Sequence, residues 1–117
     1  MNKKLQALGR LKAGQMNKTE EAYAQHLELL KRAGEVLWYR FEGIKLRLAT
    51  NTSLTVDFAV MRKDGILEML DVKGSKAIFA DDAKAKIKIA AELFPFQFCA
   101  VYPRAKRDGG GWDREDF

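Results

Sequence analysis

Two apolar stretches on either side of a short turn carry charged residues where a strand ordinarily has none. The segment VDFAVMRKDGILEMLDVKG, residues 56–74, is rich in Val, Ile, Leu and Phe but includes Asp57, Asp71 and Lys73. Asp is disfavoured in strands, and a charge among apolar neighbours costs free energy unless another group pairs with it. These three residues therefore either face water as a surface cross-strand ion pair or form a site.

The turn between the two strands decides whether these side chains can meet. The letters KDG at 63–65 suit a three-residue hairpin loop with Gly65 in the positive-φ position. Such a loop places Asp57 directly opposite Asp71, with Cβ atoms about 5 Å apart, and leaves Lys73 on the same face. A two-residue Asp-Gly loop would shift the register by one residue and divide the three side chains between both faces. The sequence allows either loop.

Two facing carboxylates repel each other, and one of them is expected to hold a proton unless a cation lies between them. Hard divalent ions bind carboxylate oxygens, and Mg²⁺ commonly uses one or two carboxylates together with water and substrate phosphate. Zinc is disfavoured because the chain has a single Cys, Cys99, and a single His, His26. Lys73 beside such a metal would hold the attacking water or offset charge in the transition state. This constellation suits phosphodiester hydrolysis.

The remaining periodicity predicts an α/β (α+β) fold, a mixed central sheet flanked by helices in the order α-β-β-β-β-α-β. The first helix is predicted to begin at its candidate cap Asn17 and to end near Gly34. Further predicted elements are strands at 35–42, 44–50, 54–61 and 66–73, a helix at 81–94 and a buried strand at 96–102. The expected apolar stripes are Ala22, Leu29 and Ala33 in the first helix and Ala83, Ile87, Ala90 and Phe94 in the second.

Length and composition bound the class of protein. The 117 residues fit one domain, and no apolar run approaches the roughly 20 residues needed to cross a bilayer, so no membrane association is predicted. The basic N-terminus lacks the apolar region of a signal peptide, which favours a cytoplasmic location. We predict a basic extension at 1–16, the domain at 17–102, and a flexible basic, Gly-rich tail at 103–117 in which Trp112 or Phe117 could dock.

This arrangement resembles the PD-(D/E)XK nuclease superfamily, whose core is a helix, a set of strands, a helix and a strand. The letters VD at 56–57 stand for the first half of its motif and DVK at 71–73 for the second. Outside this motif, further segments of the sequence are similar to those of small phage-encoded endonucleases of this superfamily. The further matching segments are NKTE at 17–20, LKRAGE at 30–35, KG at 73–74 and the acidic–basic helix that ends in ELFPF at 81–96.

Two positions depart from the family pattern, and one family residue has two candidates. Val56 replaces the family's proline, and Asp71 replaces the commoner Glu, whose longer side chain also ends in a carboxylate. The family's helix glutamate falls on Glu20. Glu21 is adjacent, but its side chain points about 100° away round a helix, so only one of the two can serve.

The resemblance implies a Mg²⁺- or Mn²⁺-dependent endodeoxyribonuclease, structure-selective or without sequence specificity, in phage DNA processing or recombination. If phage-encoded, it would work in the host cytoplasm. The implied metal ligands are Asp57, Asp71, the Val72 carbonyl and Glu20, with Lys73 as the assisting cation. The expected partner is duplex or branched DNA, and so small a domain would need a homodimer to cut two strands at once.

Basic residues elsewhere are expected to contact the DNA backbone, because their charge attracts phosphate and makes affinity fall with salt. Solubilising surface residues explain the same clusters without any partner. The candidate contacts are Lys45, Arg47, Lys76, Lys84, Lys86, Arg104, Lys106 and Arg107.

Two other functions fit the same sequence. A non-catalytic nucleic-acid-binding module could keep this fold, although its acidic residues would repel phosphate unless a cation intervened. A phage assembly protein could use its basic segments on DNA or on a partner. Binding of a divalent ion at the hairpin would distinguish the nuclease from both.

Overall fold

A five-stranded mixed sheet forms the centre of the domain in the computed structural model, which describes residues 14–75 and 81–117. Its strands lie in the order β1-β4-β5-β6-β7, and only β5 and β6 are parallel, joined by a helical crossover. Strands β2 and β3 form a separate antiparallel pair. The elements are α1 (Lys18–Arg32), β1 (Val36–Phe41), β2 (Lys45–Ala49), β3 (Thr52–Thr55), β4 (Phe58–Arg62), β5 (Leu67–Val72), α2 (Asp81–Leu93), β6 (Gln97–Pro103), a 3₁₀ turn (Lys106–Asp108) and β7 (Trp112–Asp116).

The predicted α/β (α+β) class, the mixed sheet and the succession of helix, strands, helix and strand in α-β-β-β-β-α-β are confirmed, and the structure adds two strands to that order. The sheet buries one hydrophobic layer on each face, because successive strand residues point to opposite sides. Neither helix of the described chain is long and apolar enough to cross a membrane. The α1-side layer includes Tyr23, Leu27, Phe58, Val60, Leu70 and Cys99, and the α2-side layer includes Ala59, Met69, Ile87, Ala90, Phe98 and Tyr102. Burial of Ile87 and Ala90 confirms the stripe predicted for α2.

Helix α1 begins as predicted but buries a different face. The Asn17 side chain accepts the Glu20 N–H at 2.8 Å, and the Glu20 carboxylate accepts the Asn17 N–H at 2.8 Å, which forms a capping box. Tyr23 and Leu27 are buried against the sheet, whereas Leu29 is 64 % exposed. The stripe predicted through Leu29 is therefore wrong. The Tyr23 ring, in contact with aromatic rings of the sheet, determines which face turns inward.

The third predicted strand, 54–61, is in fact two strands in two different sheets. Strand β3 pairs with β2, whereas β4 pairs with β1 and β5. Val56 and Asp57 lie between them and belong to neither strand. The chain therefore changes sheets at this point, and Asp57 lies directly before the first residue of β4.

The segment 103–117 is not a tail outside the domain. Its strand β7 pairs antiparallel with β6 and extends the central sheet by one strand. The Trp112 ring packs edge-on against Tyr23, with ring centroids 4.9 Å apart, and Phe117 packs on the α2-side layer. The glycines at 109–111 all have positive φ, which suits the reversal that precedes β7. The composition predicted a flexible tail because glycines and charged residues are typical of one, whereas here they form a turn and a short edge strand.

A buried carboxylate ties β7 to the rest of the sheet. Glu68 on β5 is 5 % exposed and accepts a hydrogen bond from the Arg114 guanidinium on β7. Arg62 on β4 also reaches the Glu68 carboxylate, at 3.5 Å. The three strands are thereby joined by one charge network on the α1 side.

We expect Arg114→Ala to lower the free energy of unfolding by about 2 kcal/mol, because it leaves a buried carboxylate with one cationic partner. The matched control is Arg107→Ala on the 3₁₀ turn, whose side chain is 89 % exposed, and we expect it to change stability by less than about 0.5 kcal/mol. Urea denaturation measures both values. Equal effects of the two substitutions would contradict the place of β7 in the sheet.

Candidate functional site

The β4–β5 hairpin has the three-residue loop, so the register that brings the two carboxylates together is confirmed. Phe58 lies opposite Leu70, which makes Asp57 and Asp71 the next facing pair. Gly65 has a φ of 85°, the conformation that this loop requires and that L side chains rarely adopt.

The two carboxylates close the end of this hairpin in place of ladder hydrogen bonds. The Asp57 N–H donates to Asp71 Oδ1 at 3.1 Å, and the Val72 N–H donates to Asp57 Oδ2 at 2.8 Å. Each side chain is held by the backbone of the opposite strand through one oxygen. The other oxygen of Asp71, Oδ2, faces Lys73.

Burial disfavours the charged form of both carboxylates. Asp71 is 7 % exposed. Burial raises the pKa of Asp57, and the charges of Asp71 and Glu20 raise it further, while the hydrogen bond from Val72 lowers it. Burial also raises the pKa of Asp71, against the lowering effects of Lys73 and of the Asp57 backbone N–H. A site of this kind is stabilised by a cation that neutralises both carboxylates.

Lys73 lies on the same side of the hairpin as Asp71. Its Nζ is 3.7 Å from Asp71 Oδ2, and its backbone N–H donates to the Val101 carbonyl of β6 at 3.0 Å. The side chains of Asp71 and Lys73 are 10 % and 26 % exposed. This pair is therefore largely enclosed, unlike the water-facing ion pair that the sequence also allowed.

Helix α1 places a third carboxylate at this end of the sheet. Glu20 is 8 % exposed, whereas Glu21 is exposed, so Glu20 is the helix glutamate that turns toward the sheet. Its capping hydrogen bond to the Asn17 N–H fixes its position. The negative charge of Glu20 is one of the causes that raise the pKa of Asp57.

The donor set fits a hard divalent ion that keeps part of its water. Across residues 14–75 and 81–117, no group of three or more His, Cys, Asp and Glu side chains is arranged to hold a metal. Asp57 and Asp71 would therefore act with the Val72 carbonyl, which points to the same side of β5 as the Val72 N–H that Asp57 accepts. Two carboxylates completed by water and substrate oxygens are the usual environment of Mg²⁺.

The predicted phosphate contacts are spread over several surfaces. Lys45 and Arg47 are exposed on β2, and Lys86 is exposed on α2. Arg104 pairs with Asp113 at 2.8 Å. The other predicted contacts are Lys106 and Arg107, both exposed on the 3₁₀ turn, Lys84, which pairs within the fold, and Lys76, which lies outside the described residues.

Strand β7 brings in a polar cluster that the sequence did not indicate. Glu115 accepts a hydrogen bond from the Tyr102 hydroxyl at 2.7 Å and pairs with Lys84 at 3.0 Å. Burial and this hydrogen bond raise the pKa of Tyr102. Ala100 lies opposite both Asp71 and Glu115, so the cluster shares the face of the carboxylate pair, two strands away. The alternating letters WDRED were the one available signal for this strand.

The single Cys and the single His lie outside the hairpin site. Cys99 is a free, buried thiol, and burial raises its pKa to about 12. His26 is half-buried on α1, where burial lowers its pKa. A thiol held neutral in a core is unreactive.

Comparisons of the chain with protein-family models, with curated proteins and with solved structures found no match.

We expect Asp57→Asn to stabilise the metal-free protein, and to do so increasingly as the pH rises. Because the pKa of Asp57 is higher in the folded than in the unfolded chain, the folded protein keeps a proton that the unfolded chain has lost. Its free energy of unfolding therefore falls as the pH rises from about 4, the usual Asp value, through the raised pKa. The amide retains an oxygen for the Val72 N–H but carries no charge.

Thermal unfolding in EDTA at pH 4 and pH 8 measures this effect. We expect a gain in Tm of about 4 °C at pH 8, equivalent to about 1 kcal/mol, and almost none at pH 4. The control is Asp64→Asn in the exposed loop of the same hairpin, which should show no such gain. A Tm for Asp57→Asn below that of the parent at pH 8 would contradict the raised pKa.

Proposed function

We propose that this protein is a divalent-metal-dependent endonuclease that hydrolyses phosphodiester bonds in DNA. The observation that supports it best is the enclosed pair of Asp57 and Asp71, with Lys73 Nζ 3.7 Å from Asp71. Two desolvated carboxylates and a nearby backbone carbonyl favour a hard divalent ion. The same residues form the letters VD and DVK, in which the chain resembles the PD-(D/E)XK nucleases.

The chain's own residues have separate roles in this proposal. Asp57, Asp71 and the Val72 carbonyl would hold Mg²⁺ or Mn²⁺, and the bound ion would lower the pKa of water and neutralise charge at the phosphate. Lys73 lies beside Asp71 and in this proposal would also face the substrate phosphate. Its ammonium group would therefore stabilise charge that builds up on the phosphate oxygens, and would not act as a base. Glu20 would be the additional carboxylate at this edge.

Duplex or branched DNA is the proposed partner, in the cytoplasm, or in the host cytoplasm if the protein is phage-encoded. A homodimer would be required to cut two strands in one event. A non-catalytic DNA-binding or assembly protein is less well supported, because a buried acidic pair repels phosphate and contributes nothing to phosphate binding without a cation.

Incubation with linear, nicked and four-way-junction DNA tests the proposal directly. We expect cleavage with Mg²⁺ or Mn²⁺ and none with EDTA. Calorimetric titration with Ca²⁺ should detect an ion at the hairpin. Failure to cleave any of these DNA forms, together with failure to bind the ion, would favour the non-catalytic function.

We expect Asp71→Asn to abolish cleavage and to leave DNA affinity equal to or higher than that of the parent. The substitution removes the charge of a metal ligand and also a repulsion toward phosphate. Gel-based cleavage and fluorescence anisotropy measure the two effects, with Asp64→Asn as the control in the loop of the same hairpin. Cleavage by Asp71→Asn near the parent rate would show that the site is assigned wrongly.

We expect Lys73→Met to lower the single-turnover cleavage rate by about 10²-fold or more, the usual effect of losing one transition-state donor. Metal affinity should stay nearly intact, because the lysine contributes no ligand. The control is Lys63→Met, whose lysine pairs with Glu35 at the exposed end of the hairpin. An unchanged rate would remove Lys73 from the reaction, and a lost metal site would make its role structural.

A further inference from the structure

The β2–β3 sheet has one apolar face and one basic face. Leu46 and Leu54 are buried in the layer that includes α2. Lys45 and Arg47 alternate with those residues and are exposed on the opposite face. No Asp or Glu occurs in the segment 43–56. The outer face therefore carries positive charge with no carboxylate of its own segment to neutralise it.

In the register of this small sheet, each cation lies opposite a hydroxyl group. Lys45 faces Thr55, and Arg47 faces Ser53. Facing residues of an antiparallel pair share a side of the sheet, with Cβ atoms about 5 Å apart. Cationic and hydroxyl side chains are the groups with which proteins most often contact phosphate oxygens. The two pairs are two residues apart, or about 6.6 Å along the strand, which is close to the spacing of successive phosphates in a nucleic-acid strand.

These two pairs lie just before the carboxylate site in the sequence. Thr55 is the last residue of β3, and one residue separates it from Asp57. The pair that contains Lys45 is therefore the nearer to the carboxylates, and the pair that contains Arg47 is the farther. The basic side chains line an open groove that extends to Asn51 at the turn of the small sheet.

We propose that the outer face of β2–β3 is a binding subsite for the two backbone phosphates next to the scissile phosphate, on one side of the cut. Lys45 with Thr55 would bind the nearer phosphate, and Arg47 with Ser53 the farther. The inference rests on the proposed function and defines its substrate as a strand that continues for two phosphates along this face. Since these contacts are to the backbone, the subsite has no base preference.

Binding measurements test the subsite independently of cleavage. The double variant Lys45→Ala/Arg47→Ala is compared with Lys31→Ala/Arg32→Ala, which removes the same charge from exposed positions on α1, across the sheet. Both are made in an Asp71→Asn background so that a labelled duplex stays intact, and affinity is measured by anisotropy at several salt concentrations. We expect the first variant to weaken binding at least tenfold and to reduce the slope of log K against log salt by about 1.8, since two phosphate contacts are lost. The control should change affinity by less than twofold.

A cleavage series then tests the geometry. The substrates are duplexes that extend one, two, three or four phosphates beyond the cleaved bond on one side. The cleavage rate of the parent should fall when fewer than two phosphates remain on that side. The Lys45→Ala/Arg47→Ala variant should not show this dependence. Equal binding by the two double variants would overturn the subsite while leaving the nuclease intact. Selective loss of binding, with no cleavage by any form of the protein, would support phosphate binding by this face and overturn the proposed function.

Discussion

Two backbone N–H groups, each donated to a carboxylate of the opposite strand, hold the end of the β4–β5 hairpin together. The bonds from Asp57 to Asp71 and from Val72 to Asp57 stand where ladder hydrogen bonds would otherwise continue. They allow the chain to leave the central sheet before Phe58 and to belong to the β2–β3 pair up to Thr55. The site is thus a direct consequence of a strand that changes sheets, and its carboxylates are positioned by backbone groups that cannot move independently of the hairpin.

This arrangement has an electrostatic cost that explains its proposed use. Burial raises the pKa of both carboxyl groups, and the negative charges of Asp71 and Glu20 raise the pKa of Asp57 further. Lys73 offsets part of that charge at 3.7 Å from Asp71. A divalent ion would complete the neutralisation, whereas a protein that only binds DNA would gain nothing from enclosing the pair. The capping box also connects the helix to the site, because the Glu20 carboxylate both caps α1 and contributes to the field at Asp57.

The local chemistry of the chain predicted much of this structure. The letters KDG, with glycine at the positive-φ position, favoured the three-residue loop, and that loop brought Asp57 opposite Asp71. Asn17 and Glu20 indicated where the first helix begins. Turn and cap signals succeed because they depend on a few neighbouring residues. The sequence did not predict the polar cluster around Glu115. The glycines before β7 and the alternating charges within it are more typical of a mobile tail than of an edge strand.

The sequence by itself determined where α1 begins, which two apolar segments form the hairpin and which charged residues they carry, since each follows from a short segment of the chain. Only the tertiary structure decided between the two possible hairpin loops, and so placed Asp57 opposite Asp71. Only the tertiary structure decided which face of α1 turns inward. Tyr23 is buried in contact with Trp112 of the distant strand β7, whereas Leu29 is exposed. Only the tertiary structure decided, too, that the segment around Asp57 divides between two sheets. Burial and strand partners arise from distant parts of the chain, and they give the site its raised pKa values, its enclosed lysine and its basic neighbouring face.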